Sequence, residues 1–175
     1  MANLKLKNPA GGSLNFVSAD GASDLTVTFP ATTGTAMVSG NMPTYSYYAN
    51  ANQTFANVTF VKLACNTSDW DTTGGMYSNS TYRFTPTVAG YYQFNGQVCW
   101  NSAISSLVGL FKNGSEDKRG TFGQLASPTV SALIYCNGST DYVELYAYQA
   151  SGSSQNNANT STIYNWFQGV LVRAA

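Results

Sequence analysis

The chain is written in short runs of alternating apolar and polar residues, broken by turn residues about every ten positions, with no stretch at helical period. A period of two places successive side chains on opposite faces of an extended strand. A run of such segments with no helix-length apolar stripe restricts the chain to an all-β fold, and the spacing of the breaks predicts a two-sheet sandwich. The strand-like runs fall at 55–65, 80–84, 90–100, 104–111, 129–136, 142–149 and 163–173. Thr85-Pro86 ends the second, and Asn113-Gly114 and Asn137-Gly138 are tight-turn pairs. In the third run Tyr92, Phe94, Val98 and Trp100 share one face. Residues 66–79 read as a loop through Trp70, Asp71, Gly74 and Gly75, and 150–160 as a polar loop.

Residues 1–43 read differently. Their apolar pieces are short: Leu4 and Leu6; Leu14, Phe16 and Val17; Leu25, Val27 and Phe29; Met37 and Val38. Each alternates, yet together they offer too few large side chains for a core of their own. A small β-segment that cannot bury its own faces completes them against a partner. The expectation is an attachment arm over 1–43 and a head domain over 44–175; the alternative is a hairpin folded back on the same subunit. Asn41-Met42-Pro43 marks the boundary, and the polar-aromatic stretch 44–54 leads into the head.

Composition narrows the function. Hydrophobic residues make up 43% of the 175 positions, enough for a core, while charged residues make up 9%, against roughly 25% in an ordinary soluble domain. Asn, Ser, Thr, Gln and Tyr hydroxyls must therefore cover the surface. Net charge is zero and the eight basic residues are scattered, which argues against nucleic acid as a partner. No apolar run is long enough to cross a membrane as a helix, and the first residues lack the apolar core of a signal peptide. The expectation is synthesis in a cytoplasm, so the seven Asn-x-Ser/Thr triplets read as polar turn residues. Cys65, Cys99 and Cys136 are an odd, sparse set in apolar runs and read as buried free thiols.

The residue types that carry common chemistry are missing. There is no histidine, no Cys-x-x-Cys pair and no glycine-rich phosphate loop. Paired carboxylates remain, at Asp69 and Asp71 and at Asp141 and Glu144. The second pair sits at i and i+3 in or beside a strand, which points the two groups to opposite faces. No catalytic residue and no cofactor is expected. The final strand bears on assembly instead. Ile163, Phe167 and Leu171 would lie on one face, and Tyr164, Trp166, Val170 and Val172 on the other. A solvent-facing sheet shows polar residues on one side, so the second set predicts a face that meets a neighbouring subunit; the alternative is coverage by the chain's own loops.

Four elements resemble a known family. Phe84, Pro86, Gly90, Tyr92 and Phe94 match, in spacing, a signature of the complement globular-head superfamily, which shares the tumour-necrosis-factor jelly roll. Leu110-Phe111-Lys112-Asn113-Gly114, Asp141-Tyr142-Val143-Glu144-Leu145 and Phe167-Gln168-Gly169-Val170-Leu171 are similar to three further elements in the same order. The resemblance covers about residues 55–175. It implies a ten-stranded jelly roll, a compact trimer with the closing strand near the threefold axis, and binding rather than catalysis. Some relatives bind calcium through loop carboxylates; Asp69 and Asp71 are only two and are expected to hold a turn, with no metal. The collagen-like stalk of complement proteins is absent.

A second resemblance lies in the arm. Residues 25–36, Leu-Thr-Val-Thr-Phe-Pro-Ala-Thr-Thr-Gly-Thr-Ala, look like a segment of many phage fibre and virion proteins. It implies a bacteriophage virion structural protein: a trimeric capsid decoration or cement protein on the capsid exterior, its arm clamped to the major capsid protein. The alternative is a short head or tail fibre whose tip binds a host receptor through loop aromatics, with Tyr45, Tyr47, Tyr48 and Trp70 as candidates.

Overall fold

The computed structural model describes residues 4–7, 10–11, 13–16, 42–159, 161 and 163–175. The chain divides into two compact units, Met1–Gly34 and Thr35–Ala175. In the first, β1 (Leu4–Lys7) and β2 (Ser13–Phe16) form an antiparallel ribbon, with Leu4 opposite Phe16 and Leu6 opposite Leu14. The remaining arm residues singled out above, Val17, Leu25, Val27, Phe29, Met37 and Val38, lie outside the described residues.

The second unit is all strand and connection among its described residues. Its strands are β3 (Thr44–Tyr48), β4 (Thr54–Phe55), β5 (Thr59–Lys62), β6 (Thr67–Asp71), β7 (Tyr77–Ser78), β8 (Arg83–Phe84), β9 (Gly90–Gln97), β10 (Ile104–Lys112), β11 (Ser115–Leu125), β12 (Thr129–Cys136), β13 (Val143–Gln149), β14 (Gln155–Asn156) and β15 (Trp166–Ala174). Ten of them build two five-stranded antiparallel sheets: a front sheet ordered β12-β9-β15-β3-β6 and a back sheet ordered β11-β10-β13-β8-β7. This is the jelly-roll sandwich that the sequence predicts. β4 and β14 pair as a short ribbon. Residues 57–63 run along β13 beyond its short pairing with β8, where Val58 N–H donates to Gln149 O (2.8 Å) and Leu63 N–H to Leu145 O (2.9 Å).

The core is aromatic and follows the strand period. β9 buries Tyr92 and Phe94 and turns Tyr91, Gln93, Asn95 and Gln97 outward; β15 buries Phe167 and Leu171. Tyr45 stacks on Phe84 (4.7 Å between ring centres) and meets Phe167 edge-on (5.5 Å), while Phe94 lies parallel to Phe167 (5.9 Å). Such ring pairs add about 0.5–1.5 kcal/mol each beyond their burial. The signature residues serve this core: Phe84, Pro86, Tyr92 and Phe94 are buried. Gly90 is needed for close approach, since a Cβ there would stand 2.4 Å from the Arg173 carbonyl oxygen. Asn113 and Gly114 both adopt positive φ (53° and 82°) and close the β10–β11 hairpin, as their identity predicts.

Five local expectations are corrected. The lead-in at 44–54 contains a full sheet strand, β3, and the loop at 66–79 contains β6. The run at 55–65 is two strands, β4 and β5, separated by a bend. β11 has no counterpart in the sequence reading, because its polar, charged run Ser115–Leu125 carries almost no apolar alternation and most of it is exposed. Ile163 does not share the core face of Phe167 and Leu171: it precedes β15 and is 69% exposed.

Candidate functional site

The front sheet leaves its outer face uncovered among the described residues. Strand registry places the outward side chains in cross-strand rows. One row runs Thr129, Gln97, Trp166, Tyr48, Thr67, and the next Ser131, Asn95, Gln168, Ser46, Trp70. A third runs Leu133, Gln93, Val170, Thr44. Trp70 is half-exposed, and Leu133, Tyr91, Tyr135 and Val172 are exposed on the same face. Two shallow hollows of about 210 and 220 Å³ flank Trp70. The first is lined by Ser46, Asp69, Trp70, Ile163, Trp166 and Gln168; the second includes Thr44, Asn95, Gln168 and Val170.

The predicted interface residues are partly gathered here. Trp166 and Val170 occupy outward positions of β15 on either side of Gln168, and Val172 is exposed at the register shift between Leu171 and Arg173. Tyr164 lies in the turn before the strand, where its carbonyl accepts from Gln97 Nε2 (3.0 Å), so it is a neighbour of the face rather than a strand position on it. The face is dressed by neutral hydrogen bonds: Gln93 Nε2 donates to Ser131 Oγ (3.0 Å), and Ser131 Oγ to Asn95 Oδ1 (2.7 Å). Ser46 Oγ donates to Asp69 Oδ2 (3.1 Å). Gln168 and Ile163 were missed as face residues. The outward parity of Gln168 within the final strand was the available signal, and Ile163 had none.

The aromatic candidates divide. Tyr45 and Tyr47 are not surface groups; both are core residues, with 0% and 9% exposure, because they are the inward positions of β3. Burial pushes the Tyr45 hydroxyl well above its ordinary range. Burial, then the Asp71 carboxylate beside it, raises that of Tyr47. Tyr48 faces outward and Trp70 is half-exposed.

The carboxylate pairs do not converge. Asp71 accepts from Tyr47 Oη (2.9 Å) and Thr73 N–H (2.7 Å), holding the turn as expected, while Asp69 faces Ser46 on the outer side. Glu144 is 1% exposed and takes Lys62 Nζ (3.0 Å) and Arg83 Nη2 (2.8 Å). Asp141 binds Asn113 Nδ2 (2.8 Å), Lys112 Nζ (2.9 Å) and the Asn137 N–H (2.9 Å). The Asn113 hydrogen bond, then the one from Lys112, holds the Asp141 carboxyl below the usual range. Among the described residues no three potential ligands are grouped as a metal site. Cys65 and Cys136 are buried free thiols, as predicted; Cys99 is only half-buried, with Sγ 3.2 Å from Ser127 Oγ.

No protein-family model and no curated protein matches the chain. Solved structures do. The globular domain of zebrafish complement 1qA is similar over 77% of this chain and 100% of its own, at TM-score 0.57 and 16% identity. Murine APRIL, in two crystal structures, is similar over 75% of this chain and 100% of its own, at TM-scores of 0.53 and 0.55 and identities of 9% and 10%. These likenesses are of fold.

Proposed function

We propose that the chain is the protomer of a homotrimeric, non-catalytic structural protein of a bacteriophage particle, a decoration protein anchored to the major capsid protein by residues 1–43. The observation that carries the assembly is the outer face of the front sheet. A lone subunit would expose Trp70, Leu133, Ile163 and Val172. Large apolar side chains exposed on an otherwise neutral face support its use as an interaction surface. The fold shared with the complement 1qA and APRIL domains supports a trimer, as does the two-sided apolar pattern of β15. The phage setting draws its support from the residue 25–36 motif and from the low-charge, turn-rich composition. The reading of the head as a receptor-binding tip loses two of its four aromatics, Tyr45 and Tyr47, to the core.

Two measurements test the reading. Sedimentation of the full chain at micromolar concentration is expected to give a trimer, and Val170→Asp a folded monomer, with the dissociation constant raised roughly a hundredfold or more. A wild-type monomer would overturn the assembly. Residues 1–43 are expected to be required for attachment to phage capsids, with hundreds of copies per particle. A few copies at one vertex, or binding retained after deletion of the segment, would overturn the decoration role.

A further inference from the structure

Strand β11 breaks register twice where it pairs with β10, once opposite Leu107–Gly109 and once opposite Leu110–Phe111. A regular strand returns a side chain to the same face at every second residue. Here the extra residues set Glu116 opposite Phe111, Arg119 opposite Gly109 and Phe122 opposite Leu107. Three residues spaced by three therefore share the outward face of the back sheet, the kind of re-aiming that bulges produce. The bulge at Gly120 and Thr121 is pinned to β12. Thr121 Oγ1 donates to the Thr129 carbonyl oxygen (3.1 Å) and accepts from the Thr129 N–H (3.0 Å), and a Cβ on Gly120 would collide with that carbonyl. The result is a hollow of about 280 Å³ lined by Phe60, Leu107, Arg119, Phe122 and Tyr148. Buried Leu107 is its floor, with Phe122 and Tyr148 on either side in the same cross-strand row. Phe122 is 65% exposed and meets no other ring among the described residues.

The rim of the hollow is polar. Arg119 Nε and Nη2 donate to Glu116 Oε1 and Oε2 (2.7 Å each), which fixes the guanidinium and leaves its Nη1 unbonded among the described residues. The Tyr148 hydroxyl likewise has no hydrogen-bond partner among the described residues. Because Glu116 neutralises Arg119, the site offers hydrogen bonds without a net charge to draw an ion. A wholly apolar occupant would strip water from the guanidinium and the hydroxyl and return no hydrogen bond. A sugar ring meets both demands: its C–H faces lie on aromatic rings, and its edge hydroxyls donate and accept. Small-molecule sites have this make-up, an apolar lining with a few placed polar groups, and the volume lies at the small end of their range of about 300–1,000 Å³. We propose that this hollow binds a neutral saccharide. One hexose ring sits over Leu107 between Phe122 and Tyr148, and its hydroxyls bond to Arg119 and to the Tyr148 hydroxyl, with Glu116 positioning the guanidinium. The site lies on the opposite sheet from the assembly face and does not rest on the trimer or on the capsid role.

Saturation-transfer NMR of the full chain tests this, with the methyl glycosides of glucose, galactose, mannose and N-acetylglucosamine as probes and the methyl glycoside of sialic acid as the anionic comparison. Transfer to the ring C–H protons of at least one neutral glycoside is expected, with a dissociation constant of about 0.1–10 mM. Phe122→Ala and Arg119→Ala are each expected to weaken it roughly tenfold or more, and Val172→Ala, on the other sheet, to leave it unchanged. Phe122 and Arg119 are exposed, so both variants are expected to keep the wild-type melting temperature. Arg119→Lys keeps the charge but not the planar fork and is expected to bind as weakly as Arg119→Ala. Absence of transfer to all four neutral glycosides would overturn the site, as would binding that survives Phe122→Ala. Stronger transfer to the sialoside would overturn its neutral character. A drop in copy number on sedimentation of Phe122→Ala would assign the hollow to a contact between chains and overturn the saccharide reading.

Discussion

The two sheets of the head treat their outer faces in opposite ways. The back sheet is covered in part by its own chain, with Phe122 left exposed beside Phe60 and Tyr148. Residues 57–63 lie along β13, and Phe60 packs on Phe111 (5.1 Å between ring centres) and Tyr148 (5.3 Å). Lys62 and Arg83 close over the buried Glu144 carboxylate, and the Arg83 guanidinium stacks 3.7 Å above the Tyr142 ring. The front sheet has no such cover among its described residues. Its outward positions carry amides, hydroxyls and half-exposed tryptophans, and little charge. Ion pairs suit a surface that one chain finishes alone, because each charge meets its counter-charge within the subunit. A face that must meet copies of itself is better served by neutral groups, since desolvating an unpaired charge is far costlier than desolvating an amide.

The contrast can be broken at the back sheet first. Arg83→Ala leaves Glu144 with Lys62 as its one cation among the described residues, beside the Tyr146 hydroxyl; because Arg83 is partly solvated, the expected loss is about 1–3 kcal/mol in urea denaturation. A loss within error would mean that the ion pairs do not close that face. The next effect is acid-dependent. The Asp141 carboxyl has a lowered pKa from its Asn113 and Lys112 partners, so its stabilisation is present above the ordinary aspartate range and is lost as pH falls through the depressed folded value. Asp141→Asn should therefore cost about 1 kcal/mol at pH 7 and flatten the fall in stability below about pH 4; an unchanged acid limb would contradict the assignment. The smallest effect concerns the seam between the sheets. Burial pushes the Cys136 thiol up to about 12 and raises Cys65 further. A disulfide reagent at pH 8 should label only Cys99 in the native head, and all three thiols in urea. Labelling of Cys65 or Cys136 without denaturant would show a core that opens readily.

Legibility in the sequence followed local information. β9, β12 and β13 fall where alternation places them, and the β10–β11 turn falls on Asn113-Gly114, the pair whose backbone preference requires it. β11 was hidden because its strand character comes from pairing with β10, not from an apolar face of its own. Tyr45 and Tyr47 misled because tyrosine is amphipathic: in a polar stretch it reads as a loop residue, while the same ring fills a core when a strand turns it inward. The candidate face was legible at Trp166, Val170 and Val172 and not at Trp70 or Ile163, which reach it through β6 and the turn before β15.

By itself, the sequence determined that this is a strand protein, which residues of its main strands point inward, and that histidine chemistry is unavailable to it. Those properties follow from residue type and from the two-residue period of an extended backbone. Only the tertiary structure decided which outward face is covered. That depends on segments far apart in the chain, such as Lys62 and Arg83 closing on Glu144, while nothing among the described residues returns over Gln168. Alternation specifies that a side chain points out; whether it meets solvent, its own chain or another copy is set by long-range contacts that no local pattern encodes.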